Sequence, residues 1–552
     1  MTAHAPRAAK PAVDLTHREI ITIMIGLMLG MFLAALDQTV VSTAIRTIAD
    51  DLKGLQYQAW ATTAYLITAT ISTPLYGKLS DIYGRKIFFS AAITIFVVGS
   101  LLCTLATDMF ELAGYRAIQG LGAGGLFSLA LAIIGDIVPA RERAKYQGYF
   151  LAVFGTSSVL GPVIGGFLSG QDSILGITGW RWVFLVNVPI GLIAFIVVQR
   201  TLKLQHTRLD QKIDWWGAAT LATGLVPVLL VAEQGRDWGW TSVESISMYA
   251  IAAVSLSAFV MIEKRMGESA LLPFELFASR TVRVASIGSV LLGMAMFGGL
   301  ASLPLYLQIV KGATPTEAGL LLLPMTLGIM TASIVAGQLI SRTGRYRIFP
   351  VVGSGLLTLA LLGMSFIQFD TSLILTMSLM LLFGLGLGCN MQPLTLAVQT
   401  SVKPQMIGVA TASATFTRQM GGTLGTAVFL SLLFAQVPGQ IGDAMAKYTN
   451  TDSFQTALTD PANATFAEQM ADSGTGSGQF DSVLSDSSFL NTLDPRLAEP
   501  FLVGFSEAMD SVFLLGAGVA LLCFLVMLFL PNNTLPSKSD KTANEEAPAS
   551  AN

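Results

Sequence analysis

Charge is scarce in this sequence. Of 552 residues only 12% are Asp, Glu, Lys or Arg and 53% are hydrophobic, which excludes the charged surface that keeps an ordinary soluble globule in water. Histidine is scarcer still. His4, His17 and His206 are the only three and all fall outside the long apolar runs, so no intramembrane imidazole is available for nucleophilic catalysis or proton carriage. Cys103, Cys389 and Cys523 lie inside apolar runs without metal-ligand spacing and read as packing residues. Lys78 follows Gly77, but no phosphate-binding loop pattern surrounds the pair. A net charge of -3 supplies no basic field for nucleic acid. The expectations are no enzyme activity, no catalytic residue, no metal, no cofactor, and neither nucleotide nor nucleic acid as partner.

What the chain has in abundance is apolar stretches of about 20 residues, each able to cross a hydrocarbon core of about 30 Å. Lipid leaves the backbone only helices or a closed barrel. Continuous runs such as Ile87 to Leu105 lack the alternation of barrel strands, so the fold class expected is an all-α membrane protein. Fourteen spans are expected: 20–44, 58–76, 87–106, 111–134, 147–169, 182–199, 214–232, 245–262, 284–309, 317–340, 348–368, 372–398, 405–435 and 509–530. Met1 to Arg18 is polar and precedes the first span as a tail rather than a cleaved leader.

Basic residues settle the orientation. Lys78, Arg85, Lys86, Arg141, Arg143, Lys145, Arg200, Lys203, Arg208, Lys212, Lys264, Arg265, Arg280, Arg283, Arg342, Arg345 and Arg347 fall in alternate loops, which the positive-inside rule makes cytoplasmic, together with both termini. The opposite loops are poorer in Lys and Arg. The longest, about 436–508, is rich in Ser, Gly, Thr and Asp between Asp472 and Ser488 and is expected to be a mobile external loop.

One repeat is visible. Gly77-Lys-Leu-Ser-Asp-Ile-Tyr-Gly84-Arg85 and Gly337-Gln-Leu-Ile-Ser-Arg-Thr-Gly344-Arg345 share their Gly, Gly and Arg spacing, which implies two related bundles. The expected organisation is a cytoplasmic tail at 1–19, a six-helix bundle at 20–200, a linker with two inserted helices at 201–283, a second six-helix bundle at 284–530 containing the long loop, and a cytoplasmic tail at 531–552.

Three motif groups carry a family resemblance. The first is Gly77 to Lys86, with Gly77, Asp81, Gly84, Arg85 and Lys86 between spans 2 and 3. The second is Gly148, Ser157, Gly161-Pro162 and Gly165-Gly166 in span 5. The third comprises Leu36-Asp37-Gln38-Thr39-Val40-Val41 in span 1, Arg116-Ala-Ile-Gln119-Gly120-Leu-Gly122-Ala-Gly124 in span 4, and Trp180-Arg181-Trp182 to Gly191 at span 6. Together they resemble the fourteen-span drug:proton antiporters of the major facilitator superfamily, the multidrug efflux type, over nearly the whole chain except the tails and the long loop. The resemblance implies two bundles around a cavity that opens alternately to each face, in the plasma membrane of a bacterium. The partners it implies are the bilayer, protons and amphipathic or cationic small molecules; the alternatives to this function are export of an endogenous lipid or metabolite, or a membrane-embedded receptor or enzyme. A proton gradient would be the energy source. It also implies that Gly77 to Lys86 acts as a conformational latch and that the span 5 glycines mark export.

Residue chemistry stands beside the resemblance. Ser157, Gly161 and Gly165 lie at i, i+4 and i+8 and offer a smooth stripe for a neighbouring helix, and Pro162 removes one backbone donor and should bend the helix. A charge at the bilayer centre costs about 2.5–3.5 kcal/mol on insertion scales, so Asp37, Arg116 and Arg418 are functional candidates. Asp37 and Arg116 are the expected proton-coupling residues, with Glu233 and Asp510 as reserve carboxylates at outer span ends. Gln119, Arg418 and Gln419 are expected cavity residues. Ser341 replaces Asp81 in the repeat, which argues against a symmetrical second latch. The tryptophans at 180 and 182 read as interfacial anchors.

Overall fold

The computed structural model describes residues 16–53, 58–202, 213–460, 463, 466 and 493–532. Among them the chain is almost entirely helical. The helices are α1 (His17–Asp51), α2 (Gln58–Tyr83), α3 (Arg85–Cys103), α4 (Met109–Ile137), α5 (Ala140–Ser169), α6 (Arg181–Leu185), α7 (Asn187–Thr201), α8 (Trp215–Trp238), α9 (Val243–Met266), α10 (Phe274–Ala278), α11 (Arg280–Leu305), α12 (Pro315–Leu321), α13 (Leu323–Thr343), α14 (Ile348–Met364), α15 (Leu373–Thr400), α16 (Ile407–Tyr448), α17 (Asp452–Leu458) and α18 (Pro495–Leu528). A two-stranded antiparallel hairpin, Ser173–Ile174 with Ile177–Thr178, projects between α5 and α6. Eleven helices among the described residues are long and apolar enough to cross a membrane, and two shorter apolar helices, Val153–Ser169 within α5 and Ile348–Met364, accompany them.

Each half builds its own core. One apolar cluster joins Leu27, Tyr65, Phe89, Phe96, Leu126 and Val198 from α1, α2, α3, α4 and α7. Another joins Leu292, Leu357, Phe383, Phe429 and Val512 from α11, α14, α15, α16 and α18. Helices α8 and α9 sit apart on the flank, where Leu221, Leu225 and Phe259 meet Leu75 of α2 and Phe416 of α16. Small residues permit close approach between helices, because lipid offers no hydrophobic drive to compensate a gap. A Cβ at Gly120 would strike the Tyr65 carbonyl, and one at Gly124 the Ala69 carbonyl, so this face of α4 lies directly on α2.

The structure departs from the sequence expectations in three places. The stretch 436–508 is not one loop: α16 runs on to Tyr448, α17 follows, and α18 begins at Pro495. At 42 residues α16 extends for about 63 Å at 1.5 Å per residue, far beyond the hydrocarbon core. Its extension buries Val437, Ile441 and Ala444 against Gly504 and Phe501 of α18 and Phe454 of α17. The Asp472 to Ser488 segment lies outside the described residues. Asp510, expected at a span end, therefore stands well inside α18. Span 182–199 is broken at Val186 into α6 and α7, and the helix expected at 317–340 is broken at Leu322, where Pro324 in the first turn of α13 has no N–H to continue the ladder. Helix α5, by contrast, continues through Pro162 to Ser169. Lys203, Arg208 and Lys212 lie outside the described residues, as does the Glu233 side chain.

Candidate functional site

The site begins with a carboxylate that has lost all contact with water. Asp37 is 0% exposed and Arg116 is 1% exposed. Arg116 Nη1 donates to Asp37 Oδ2 at 2.5 Å, while Gln119 Nε2 and Asn187 Nδ2 donate to Asp37 Oδ1 at 2.8 and 2.7 Å. Gln119 Oε1 accepts from Arg116 at 2.6 Å, and Ser100 Oγ accepts from Gln119 and Asn187 at 2.7 and 3.3 Å. Arg116 Nε reaches the Ala61 carbonyl at 3.3 Å. Helices α1, α3, α4 and α7 thus converge on one ion pair, as buried charges require both a partner and full hydrogen bonding. Asn187 Oδ1 is buried without a partner among the described residues.

Asp37, Arg116 and Gln119 were sequence candidates and the fold brings them together. Asn187 and Ser100 were not. Asn187 belongs to the Trp180 to Gly191 motif, which was read as interfacial, and the structure corrects that reading twice. Asn187 joins the ion pair, and Trp180 is 1% exposed, with Nε1 donating to Asp51 Oδ2 at 2.7 Å. Arg181 donates to the Ala106 carbonyl at 3.1 Å and stacks over Trp180. These residues tie the ends of α1, α3 and α6 together. The available signal was an Asn inside an apolar run.

The stripe on α5 packs beside the same site. Thr39, two residues beyond Asp37, donates to the Ser157 carbonyl at 3.0 Å. A Cβ at Gly161 would collide with Thr39, and one at Gly165 would approach the Val40 carbonyl. Elsewhere α5 meets the second half, with Gly155 against Thr326 and Pro162 against Gly319. Helix α5 therefore touches the helix that carries Asp37 and the opposite bundle as well. Gly166 faces open space, and Gly148 lies in α5 at a position whose surroundings are outside the described ones.

At the basic end of the molecule the halves are locked. Arg85 forms ion pairs with Asp81 and, at 2.7 Å, with Asp136, and it donates to Ser80 Oγ at 2.5 Å. Asp81 Oδ2 accepts from the Val409 N–H at 2.9 Å, in the first turn of α16, where helix donors have no internal partner and negative charge is favoured. Gly77 lies against Ala412 and the Gly408 carbonyl, leaving no room for a side chain. Gly84 has φ 110, a region that L side chains rarely adopt. Lys86 Nζ donates to the Gln199 carbonyl at the end of α7, at 2.8 Å. A second tie runs from Gln399 Nε2 of α15 to the Leu131 carbonyl of α4 at 3.1 Å. The repeat copies only the turn: Gly344 has φ 70, Ser341 Oγ bonds its own helix, and Arg345 is exposed.

Between the halves, above this lock, lies a cavity of about 180 Å³. Phe127, Phe154, Phe297, Met325 and Met391 give it an apolar wall, and Gln38, Gln392, Arg418, Gln419 and Thr423 interrupt it. Gln419 Oε1 accepts from Thr73 Oγ1 at 3.1 Å across the two halves. Tyr65 lines the cavity and separates it from Arg116, whose guanidinium stacks on the ring.

Comparison with known proteins agrees with this architecture. The family model described as Major Facilitator Superfamily matches residues 27–426. The chain is 35% identical over 429 residues to the multidrug transporter protein MdtP of Bacillus subtilis, covering 77% of each. It is 37% identical over 340 residues to the tetracycline resistance determinant of Streptomyces rimosus, covering 60% of this chain and 94% of that one. In fold it is similar to the proton:xylose symporter XylE, with a TM-score of 0.59 and 15% identity over 96% of this chain and 100% of that one. The chain belongs to the major facilitator superfamily and is a multi-pass membrane transporter rather than an enzyme.

Proposed function

We propose that this transporter is a drug:proton antiporter, which exports amphipathic small molecules by alternating access and draws on the proton gradient. In this reading it has fourteen spans arranged as six, two inserted and six, and lies in a bacterial plasma membrane with the basic end and both termini in the cytoplasm. The observation that carries the reading is the dry Asp37–Arg116 pair set one aromatic ring away from the central cavity. Likeness to the multidrug transporter protein and to the tetracycline resistance determinant supports the substrate class.

The mechanism follows from what a proton does to that network. Ionised Asp37 is held by three donors, and protonation weakens its hold on Arg116. The Asn187 amide can turn its orphan oxygen toward the new O–H, so the site has partners for both protonation states. Helix α1 is then freer to shift against α4. Because α5 lies between α1 and the second half through Thr39, Gly161 and Pro162, that shift is transmitted to the rocking of one bundle on the other. The lock of Asp81, Arg85 and Val409 holds the cytoplasmic side shut in this state and must open in the other.

Counterflow in proteoliposomes tests the reading. Purified protein should exchange labelled substrate across a sealed membrane, and an imposed pH gradient should drive it uphill. Exchange without any response to the gradient would sink the coupling.

A further inference from the structure

The cavity carries an unbalanced charge. Arg418 is the one ionisable residue besides Tyr65 among those lining it, and no Asp, Glu or Lys stands in its wall. Among the described residues no hydrogen bond or ion pair holds the Arg418 guanidinium, in contrast to Arg116, whose charge Asp37 cancels behind Tyr65. Every other polar group in the wall is a neutral amide or hydroxyl. A cation entering this space would lose its hydration and meet a like charge in a medium of low dielectric. An anion would meet the counter-charge that the fold has left out.

The geometry points to Arg418 as the recognition point for an organic anion, and thus to substrates that pair a single negative group with a large apolar body. This rests on the transport reading and narrows it, since the wider sequence expectation includes cationic drugs. Several features fit the assignment. Arginine forms a planar fork matched to a carboxylate or sulfonate. Gln419, next in sequence and in the same wall, keeps its amide N–H for the same group while its Oε1 accepts from Thr73. Phe127, Phe154 and Phe297 present faces and edges for an aromatic or alicyclic body.

The test is equilibrium binding to the purified full-length protein in lipid nanodiscs, read by fluorescence anisotropy, with two dyes that share a xanthene ring system. The 3-O-methyl ether of fluorescein, a carboxylate monoanion in mildly alkaline buffer, is the anionic probe, and a rhodamine methyl ester is the cationic one. The fluorescein ether should bind at least about tenfold more tightly, Arg418→Gln should erase most of that preference, and Arg418→Lys should keep part of it because the charge remains. Tighter rhodamine binding, binding of neither dye, or a preference unchanged in Arg418→Gln overturns the assignment. The Lys variant, checked for monodispersity, separates lost recognition from lost folding. Binding of the fluorescein ether with the expected preference but without counterflow leaves the assignment standing and defeats the transport reading instead.

Discussion

The guanidinium carbon of Arg116 lies 4.2 Å from the centre of the Tyr65 ring, and that same ring lines the central cavity. Tyr65 is thus the partition between a dry ion pair and the central cavity. Removing it in Tyr65→Ala should admit water to Asp37 and give a proton leak without substrate, read as faster collapse of an imposed pH gradient in proteoliposomes. Tyr65→Phe keeps the ring and the cation–π contact, worth about 0.5–2 kcal/mol, and should remain tight. Equal leak in both variants would mean that the ring is not the barrier.

Asp37 should behave as a coupling residue and as a structural one, and the two roles are separable. Asp37→Asn leaves Arg116 buried without a counter-charge, at a cost of about 3–5 kcal/mol, so it should lower thermal stability and abolish gradient-driven transport. The double variant Asp37→Asn, Arg116→Gln removes the orphan charge and should recover much of the stability while transport stays lost. Asp37→Glu should retain part of the activity. Uphill transport at the wild-type rate by the double variant would end the claim.

Asn187→Leu removes one donor and the orphan oxygen together. The expected result is weakened proton coupling, with substrate counterflow, which needs no gradient, affected less. Equal loss of both would reduce Asn187 to a packing role.

The lock predicts where the cytoplasmic side gives way. Asp81→Asn loses a charge-assisted bond to the α16 N-terminus, worth about 1.5–3 kcal/mol, and should shift the conformational balance by about tenfold or more. A cysteine placed at buried Ser413 would then label faster from the cytoplasmic side than in the parent. Ser341→Ala, which removes only a bond within its own helix, should change little.

Substrate charge also sets the electrical signature. Outward movement of a monovalent anion and inward movement of one proton carry charge in the same sense, so an interior-negative potential assists both, at about 2.3 kcal/mol per charge per 100 mV. A monovalent cation exchanged for one proton would be electrically silent. Interior-negative potassium-diffusion potentials across proteoliposomes should therefore accelerate export of the monoanionic fluorescein ether, and indifference to potential would contradict the exchange of an anion for a proton.

The sequence revealed residue types but only part of their arrangement. Asp37, Arg116 and Gln119 stand out because charge and amide are costly in apolar runs, and the glycine stripes on α4 and α5 announce close helix contacts. Ser100 was missed because a lone hydroxyl in a span costs little, Asn187 because its motif was read as interfacial, and their meeting with Asp37 depends on helices distant in sequence. The α16 extension was missed because its mean polarity resembles a loop, although Val437, Ile441 and Ala444 keep the spacing of one helix face. The Asp81 contact with Val409 joins the two halves, and no local pattern encodes it.

Met31, Met296, Met325 and Met391 all face the cavity, and thioether chains have three rotatable bonds with which to refill an irregular gap. A wall of this kind resists discrimination by outline. A compound redesigned only in its contours would meet methionines able to re-form around it, whereas one whose ionic character is inverted would meet a positive charge that no rearrangement of the Arg418 side chain can reverse. On the proposed export of drugs, altering a drug's charge offers a better route of evasion than altering its shape.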